Sequence, residues 1–443
     1  MNSIRIGLLG CGKLGLPVAL ALDSYKFDVC VTDINKDVEQ YLINRKIPYK
    51  EELADDLLKV HKITWHDNIA DVVRDSDVIF VPIQTPHEAK YEGITRLPKE
   101  RKDFDYTYLI KAIQELTDTL AVSSDPSIKT LVIISTVLPG TIRREILPIT
   151  QRDKRIKIVY NPFFIAMGTV IYDFLNPEFI LLGLEDTNSI PGNLLAIYTK
   201  VYSHNPKSLI AKGWNNFLQI MSIESAELCK VAYNTFITSK ICIVNTLMEI
   251  CHKIPGANID DVTGALKYAT KRIVSPMYMT GGMGDGGGCH PRDNIAMSWL
   301  ANKVCLSYDW FEHLMISREK QAEFFANLIM ENYTPGDKVH IIGYEFKPKT
   351  NLSTGSHVLL VAEILKENHI NFDVRTLDEA LTKLYGIPEK GKLIFFVGCE
   401  HKEFEDFIFP SGSVVIDPFR FIFNRPGVKI IPIGNGMEVQ NVS

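Results

Sequence analysis

The chain has 443 residues, which at roughly 100–200 residues per domain predicts two or three domains. With 46% hydrophobic and 23% charged residues and a net charge of −5, its composition excludes a disordered or fibrous chain and lacks the basic surplus typical of nucleic-acid binding. The eight cysteines form no C-x-x-C pair, so we expect no zinc ribbon or other metal site, no disulfide-built domain, and a reduced compartment.

The N-terminal segment MNSIRIGLLG places a basic residue before an apolar run, as a signal peptide does. This run is short, is interrupted by Gly7 and Gly10, and is followed by no small-residue cleavage motif. No uninterrupted apolar segment of the sequence approaches the ~20 residues that a bilayer-spanning helix needs. We therefore expect a cytoplasmic protein with neither a membrane partner nor a nucleic-acid partner.

Short β-branched and aliphatic runs alternate with helical stretches over the first half of the chain. Such runs are typical of strands buried on both faces, and their alternation with helices predicts an α/β fold with a doubly wound parallel sheet. The predicted strands are Ile4–Leu9, Phe27–Asp33, Asp77–Pro82, Thr130–Thr136 and Lys157–Pro162. The predicted helices include Leu14–Leu22 and Tyr106–Leu120. Ligands are expected at the carboxyl ends of the strands.

A glycine triplet separates the first predicted strand from the first predicted helix. Gly10, Gly12 and Gly15 form G-x-G-x-x-G, and Asp33 ends the next strand. Gly10 permits a tight turn, Gly12 lets a pyrophosphate approach the backbone, and Gly15 allows close packing of the helix, whose N-terminus faces the phosphates. Asp33 can accept hydrogen bonds from both ribose hydroxyls and would repel a 2′-phosphate, which favours NAD over NADP. The alternative interpretation is three ordinary turn glycines.

From Asn215 to about Cys251 the chain contains neither proline nor glycine, and Pro255-Gly256 follows. Apolar residues recur in this segment at intervals of three and four, which predicts a long helix or a pair of helices. The recurring residues include Leu218, Met221, Leu228, Val231, Phe236, Ile241 and Val244. A helix of this length is typical of a dimer interface, and an intrachain connector between two domains is equally consistent with the pattern.

The last third of the chain returns to buried strands, which predicts a second, smaller Rossmann-like α/β unit. Its predicted strands are Val339–Tyr344, Phe372–Leu377, Leu393–Cys399 and Ser413–Asp417. We place a Rossmann domain at residues 1–205, a central helical region at 206–320 and the second α/β domain at 321–443, with boundaries uncertain by several residues.

The segment GGMGDGGGCHPRD, residues 281–293, has six glycines in its first eight residues. These glycines let the backbone wrap closely around a ligand and relieve crowding beside the thiol of Cys289. A glycine-cradled cysteine is a candidate covalent nucleophile, since the thiolate is the reactive form. A flexible loop with an incidental cysteine is the alternative. His290 is interpreted as structural, because adjacent residues need not face each other.

Lys230 and Asn234 are four residues apart and therefore project from one face of the central helix. A buried lysine and an amide on one face can polarise a carbonyl or stabilise an alkoxide. A solvated lysine beside an asparagine is the competing interpretation.

In this order, the motifs resemble those of the nucleotide-sugar dehydrogenase family, the UDP-glucose and GDP-mannose 6-dehydrogenases, over nearly the full length. The family's opening segment resembles IGLLGCGKLGLPVA of this chain. The family's strand followed by Gly-Thr-Pro resembles DVIFVPIQTP, which contains Thr85, and its motif S-T-V-x-x-G-T resembles ISTVLPGT, which contains Thr136. AELCKVAYNTFITSKICIVNTL is similar to the helix that carries the family's lysine and asparagine. The glycine-rich segment GGMGDGGGCHPRD is similar to the family's signature G-x-G-G-S-C-F-P-K-D. The segment GYEFKPKT, which contains Lys347, is similar to the segment that opens the family's nucleotide-binding domain.

The resemblance implies oxidation of a sugar CH2OH to a carboxylate with two NAD molecules in succession, through an aldehyde and a thioester on Cys289. Lys230 and Asn234 are then expected to stabilise oxyanion character, and Asp293 with Thr136 to orient water. The implied NAD-binding residues are Gly10, Gly12, Lys13, Leu14, Gly15, Asp33, Thr85 and Thr136. The implied substrate-binding residues are Phe163, Lys230, Asn234, Arg272, Gly286 and Lys347. The resemblance also implies a homodimer through the central helix and a role in polysaccharide precursor synthesis.

The sequence departs from the family pattern at functional positions. NPFFIAMG, residues 161–168, corresponds to N-P-E-F-L-x-E-G, so Phe163 and Met167 replace two glutamates. The first glutamate is the candidate base that activates water at the thioester, and such help is worth about 10²–10⁴ in rate. Phe179 replaces the arginine of N-P-D-R, and Thr354 replaces the arginine of the family's T-D-D-x-R-x-S.

Three interpretations of the function follow. The first is a 6-dehydrogenase acting on a UDP-sugar, with a GDP-sugar as the less favoured alternative substrate, and with Asp293 carrying the hydrolytic step. The second is a different redox reaction on a nucleotide sugar, which stops at the aldehyde or oxidises and re-reduces a ring carbon. The third is a non-catalytic nucleotide-sugar-binding protein, against which the retention of Cys289, Lys230, Asn234 and Asp293 argues.

Overall fold

The structure, a computed structural model, describes residues 4–86, 103–203, 217–274, 281–284, 301–303, 305–345, 348, 353, 355–383 and 392–433. The chain divides into two compact units, Met1–Thr238 and Ser239–Ser443. Each unit carries its own sheet. The domain boundaries expected near residues 205 and 320 stay a prediction.

The first unit is built on a sheet that has eight strands among the described residues. They are β1 (Arg5–Leu9), β2 (Asp28–Thr32), β3 (Thr64–Trp65), β4 (Val78–Val81), β5 (Lys129–Ile133), β6 (Ile156–Tyr160), β7 (Ile180–Leu184) and β8 (Leu218–Ser222). Their order is β3-β2-β1-β4-β5-β6-β7-β8. Neighbours from β3 to β6 are parallel, β7 is antiparallel to β6, and β8 is parallel to β7. This order is that of a doubly wound Rossmann-type sheet with two added strands.

Helices connect these strands on both faces of the sheet. They are α1 (Gly15–Ser24), α2 (Asp37–Ile43), α3 (Ala54–Val60), α4 (Ile69–Asp75), α5 (Thr107–Val122), α6 (Leu147–Thr150), α7 (Val170–Leu175), α8 (Gly192–Tyr202) and α9 (Ile223–Lys253). A short π-helical segment, Ile142–Ile146, precedes α6. The division between the two units falls within α9.

Alternate residues of the central strands belong to two hydrophobic cores, one on each face of the sheet. In and just after β5, Val132 and Ile134 belong to one core and Leu131 and Ile133 to the other. All five residues of β5 are buried, which explains why Leu131, Val132 and Ile133 are consecutively apolar rather than alternating with polar residues.

The predicted strands of the first half are confirmed, with ends that shift by at most three residues. The helix predicted from Asn215 was wrong at its start, because residues 218–222 form β8 and the helix begins at Ile223. Leu218 and Met221 fit a helical spacing equally well, and pairing with β7 decides between the two conformations. Neither β7 nor its antiparallel direction was predicted.

The second unit contains a smaller parallel sheet. Its described strands are β9 (Lys338–Ile342), β10 (Phe372–Arg375), β11 (Leu393–Val397), β12 (Val414–Asp417) and β13 (Lys429–Pro432), in the order β10-β9-β11-β12-β13. Its described helices are α10 (Ile259–Leu266), α11 (Trp310–Glu331), α12 (His357–Glu367) and α13 (Leu377–Lys383). The second Rossmann-like α/β domain expected from the sequence is thus confirmed. Within the described ranges, no helix is both long enough and apolar enough to cross a membrane.

Candidate functional site

Five parallel strands of the first unit end at the same edge of the sheet, and a glycine or a polar residue lies just beyond each. Gly10 follows β1, Asp33 follows β2, Thr85 lies beyond β4, Thr136 beyond β5, and Asn161 follows β6. Because the carboxyl ends of parallel strands form the ligand-binding edge of a doubly wound sheet, these loops constitute the candidate site.

The glycine triplet forms the turn between β1 and α1. Gly10 has φ +99°, and its amide donates to the carbonyl of Thr32 over 2.9 Å. A Cβ on Gly15 would lie 2.0 Å from the carbonyl oxygen of Gly10, so only glycine fits there. A Cβ on Gly12 would meet nothing within 4 Å. The backbone at Gly12 is therefore exposed and open to a ligand, as binding of a pyrophosphate requires.

Asp33 is held by backbone amides on two sides. Its Oδ2 accepts from the amide of Cys11 over 2.5 Å and its Oδ1 from the amide of Asn35 over 2.7 Å. The first turn of α1 contains no acidic residue, and Leu14 before it makes no side-chain cap. The positive end of the α1 dipole is thus available to phosphates. Lys13 is exposed beside it. These features fit a dinucleotide with free ribose hydroxyls.

Hydrogen bonds tie the loop after β5 to the loop after β4. The hydroxyl of Thr85 donates to the carbonyl of Thr136 over 2.7 Å, and the hydroxyl of Ser135 donates to the carbonyl of Ile83 over 2.5 Å. Further along, the phenol oxygen of Tyr106 accepts from the amide of Leu138 over 3.2 Å. Thr85 and Thr136, both predicted cofactor-binding residues, are brought together.

Helix α9 packs against the sheet at a glycine of β7. A Cβ on Gly183 would lie 2.8 Å from the Cβ of Ala226 and 3.0 Å from the Cα of Ile223. Glu227 follows Ala226 and is completely buried. Its Oε2 accepts from the amide of Gly140 over 2.5 Å and its Oε1 from the amide of Ile142 over 2.8 Å. The loop after β5 is thereby bound to α9.

Lys230 lies one helical turn beyond Glu227, at the loop that follows β6. Its Nζ donates to the carbonyl oxygen of Phe163 over 2.8 Å and lies 4.9 Å from the ring centre of Phe164. Burial lowers the pKa of the Lys230 ammonium from its usual value. Asn234 lies one further turn along α9 and is exposed. Lys230 is thus half-buried, whereas Asn234 is exposed, and the chemical role expected of the pair stays a prediction.

The two residues that replace the glutamates differ in their surroundings. The Phe163 ring packs against Phe174 with ring centres 5.3 Å apart, so its side chain joins the core and its carbonyl faces Lys230. Met167 is 67% exposed. The Phe179 ring stands 4.6 Å from that of Phe164. These rings line a shallow cleft, and none of them can transfer a proton.

Asn161 joins β6 to β7 beside this cleft. Its Nδ2 donates to the carbonyl of Leu181 over 2.8 Å, and its Oδ1 accepts from the hydroxyl of Tyr198. Because β6 and β7 share a single ladder pair, Tyr160 with Gly183, this amide fixes the start of the segment that presents the Phe163 carbonyl.

Several predicted site residues lie outside the described residues: Cys289, Asp293, Gly286, Lys347 and Thr354. Arg272 is described, and it lies exposed in the turn after α10 in the second unit. Sequence reasoning missed Glu227 and Gly183. An acidic residue on a helix face otherwise buried, three positions before Lys230, was the available indication of Glu227.

Comparison with known proteins adds independent findings. Residues 4–205 match the family model of the UDP-glucose/GDP-mannose dehydrogenase NAD-binding domain, and residues 224–317 match the model of the central domain of the same family. The crystal structure of a ternary complex of GDP-mannose dehydrogenase from Pseudomonas aeruginosa shares this fold, with a TM-score of 0.80 at 21% identity over 96% of this chain and 99% of that one.

Two sequence relatives are nucleotide-sugar dehydrogenases by name. UDP-glucose 6-dehydrogenase 1 of Arabidopsis thaliana is 27% identical over 361 residues, which are 78% of this chain and 70% of that enzyme. UDP-glucose 6-dehydrogenase of Rickettsia prowazekii is 25% identical over 407 residues, 89% of this chain and 86% of that enzyme. Together with a sheet edge built to hold NAD, these matches show that the chain belongs to the UDP-glucose/GDP-mannose dehydrogenase family of NAD-dependent oxidoreductases.

Proposed function

We propose that this enzyme oxidises the C6 hydroxymethyl group of a UDP-sugar to a carboxylate, through an aldehyde and a thioester on Cys289. The observation that carries the proposal is the position of Lys230, whose half-buried ammonium faces the loop after β6 at the ligand-binding edge of the sheet. The names of the two relatives favour a UDP-sugar over a GDP-sugar.

Bound NAD supplies a hydride acceptor for each of the two oxidations. Around it, the exposed backbone at Gly12 and the N-terminus of α1 bind the pyrophosphate, and Asp33 binds the ribose hydroxyls. Lys13 and Leu14 flank this site. Thr85 fixes the Thr136 loop at the other end of the cofactor.

On the substrate side, Lys230 and Asn234 stabilise negative charge on the substrate oxygen as each oxidation proceeds. The Cys289 thiolate attacks the aldehyde, and the second oxidation leaves a thioester, which water hydrolyses. Asp293 and Thr136 orient that water. Arg272, Gly286 and Lys347 bind the nucleotide sugar, and Phe163 does so through its backbone.

A second candidate reaction is favoured by one observation, the packing of Phe163 into the core. Without a carboxylate at this position, hydrolysis of the thioester loses a base that is worth about 10²–10⁴ in rate. The enzyme would then release the aldehyde, or oxidise and re-reduce a ring carbon.

Counting NADH formed per sugar consumed separates these reactions. The full-length enzyme is incubated with NAD and a panel of UDP-sugars and GDP-sugars, and the product is identified by mass spectrometry. Two NADH per carboxylate support the proposal, and one NADH with an aldehyde supports the second candidate. A sugar epimerised at a ring carbon with no net NADH, detected by NMR, would support oxidation and re-reduction, and tight binding with no NADH and an unaltered sugar would indicate a non-catalytic binding protein.

Two variants refine this experiment. Cys289→Ser is expected to stop after the first oxidation, and full carboxylate formation by that variant would refute the thioester route. Phe163→Glu is expected to accelerate acid release if the missing base limits the rate. An unchanged rate would show that another group, such as Asp293, already activates the water.

We also propose that the enzyme is a homodimer through α9 and serves polysaccharide precursor synthesis. Phe236 and Ile237 on α9 are 55% and 44% exposed, as expected of an apolar face that a partner covers. Phe236→Glu should shift the mass measured by light scattering from dimer to monomer. Tyr108→Glu on α5, where the side chain is 51% exposed, is the matched control and should leave the mass unchanged.

A further inference from the structure

The loop after β5, defined here as residues 134–142, is attached to two different parts of the first unit. At its start, Ser135 and Thr136 are bonded to the loop after β4, on the cofactor side of the site. At its end, the amides of Gly140 and Ile142 are bonded to Glu227 of α9. The loop therefore connects the cofactor side of the sheet edge to the helix that carries Lys230.

The carboxylate of Glu227 is suited to this attachment. It is completely buried, and each of its two oxygens accepts one backbone amide. Gly140, whose amide is one of the two donors, has φ +85°, a left-handed conformation that favours glycine. A neutral side-chain amide has only one accepting oxygen, so Gln at position 227 would place an N–H group against one of the two donors.

Lys230 lies three residues after Glu227, hence on the same face of the helix about one turn away. The two hydrogen bonds that hold Glu227 against the loop therefore also fix the position of Lys230 relative to that loop. We propose that Glu227 is a positioning residue. By accepting hydrogen bonds from the amides of Gly140 and Ile142, it sets the placement of Lys230 relative to the loop after β5. This inference rests on the proposed function of Lys230 and Thr136 in substrate oxidation.

Glu224 provides a matched control on the same helix. It lies one turn before Glu227 and forms an ion pair with Arg143, the residue that directly follows this loop. That pair is at the surface, where the Arg143 side chain is 59% exposed, so its contribution is small and screened by salt. Loss of the Glu224 carboxylate should leave the Gly140–Ile142 turn attached to α9.

The test compares Glu227→Gln, Glu227→Asp and Glu224→Gln with the wild-type enzyme at full length. Three quantities are measured: the Kd of NADH by fluorescence, the rate of the first oxidation in a single turnover with the best substrate of the panel, and hydrogen exchange in residues 134–142. Since Thr85 still holds Thr136, we expect Glu227→Gln to change the Kd of NADH less than threefold.

The same variant should slow the first oxidation at least tenfold and accelerate exchange of the Gly140 and Ile142 amides. Glu227→Asp, which keeps both oxygens, should recover part of the rate, and Glu224→Gln should stay within twofold of the wild type. An oxidation rate within twofold for Glu227→Gln would overturn the proposal. So would a loss of NADH affinity as large as the loss of rate, because that result indicates a merely structural role.

Failure of the proposed function gives a different result. Suppose that no nucleotide sugar of the panel is oxidised by the wild-type enzyme. Hydrogen exchange alone then tests whether Glu227 attaches the loop after β5 to α9. Faster exchange at residues 140–142 in Glu227→Gln but not in Glu224→Gln would support the attachment to α9, and unchanged exchange in both would overturn it.

Discussion

The Oδ2 atom of Asp33 accepts a hydrogen bond from the amide of Cys11 over 2.5 Å. This bond joins the end of β2 to the middle of the glycine turn after β1, so the acid predicted to bind the ribose and the loop predicted to bind the pyrophosphate are fixed relative to each other. The second oxygen accepts from the amide of Asn35, which leaves the carboxylate with little freedom to rotate.

Asp33→Asn should weaken NAD binding and should lower the ratio by which the enzyme prefers NAD to NADP. The amide side chain cannot accept through both positions, and it no longer repels a 2′-phosphate. Hydrogen bonds to a charged group are worth about 1.5–3 kcal/mol, so the Kd of NAD should rise about 10–100-fold. Asp28→Asn, an exposed position at the start of the same strand, is the control. Unchanged discrimination between the two cofactors in Asp33→Asn would contradict this assignment.

Gly15→Ala and Gly12→Ala should separate stability from cofactor binding. A Cβ added at Gly15 would lie 2.0 Å from the Gly10 carbonyl oxygen, a backbone atom that cannot move away cheaply, so we expect a loss of about 3 kcal/mol in unfolding free energy. At Gly12 the added methyl meets nothing within 4 Å. That variant should keep its unfolding midpoint and lose NAD affinity about tenfold or more. Equal midpoints in thermal unfolding of both variants would count against this geometry.

Gly183→Ala should displace α9 from the sheet. Its Cβ would stand 2.8 Å from that of Ala226, and overpacking of this kind costs about 1–3 kcal/mol. Since Lys230 is carried by the same helix, kcat should fall about 10–100-fold. Adding Ala226→Gly removes the opposing methyl and should restore part of both losses. Gly192→Ala, where the methyl meets nothing within 4 Å, should be neutral in unfolding and activity assays.

Lys230→Met should abolish turnover and change how stability depends on pH. Burial lowers the pKa of Lys230 in the folded protein, so between that value and the usual ~10.4 the unfolded chain binds more protons at this site. The free energy of unfolding of the wild type should therefore rise relative to that of the variant as the pH increases through this window, and the difference between their thermal midpoints should change with it. Lys240→Met, at an exposed position on the same helix, should show no such drift. A midpoint difference that is constant from pH 7 to pH 10 would refute the burial argument.

Local patterns were sufficient to predict the strand, glycine turn and helix of the candidate cofactor site. The triplet from Gly10 to Gly15 and the acid at Asp33 depend on a few consecutive residues and on the geometry of one strand, turn and helix, so their placement follows from the sequence. The relation of Thr85 to Thr136 follows from parallel strand order, which is also predictable from the alternation of strands and helices.

The substrate half depends on pairing between distant segments. Leu218–Ser222 forms a strand because β7 is beside it, and the same five residues would suit the helix predicted there. The direction of β7 and the burial of Glu227 against Gly140 likewise depend on contacts that no local pattern specifies. The roles of Cys289 and Asp293 stay predictions.

No loop residue separates β8 from α9: Ser222 ends the strand and Ile223 begins the helix. The ladder between β7 and β8 therefore sets the rotation of the helix as well as its starting point. A single residue inserted at this junction would turn every later side chain of α9 by about 100° and advance it by about 1.5 Å. Lys230 and Glu227 would both be moved away from the sheet edge. The junction between β8 and α9 should therefore tolerate substitutions but not insertions or deletions.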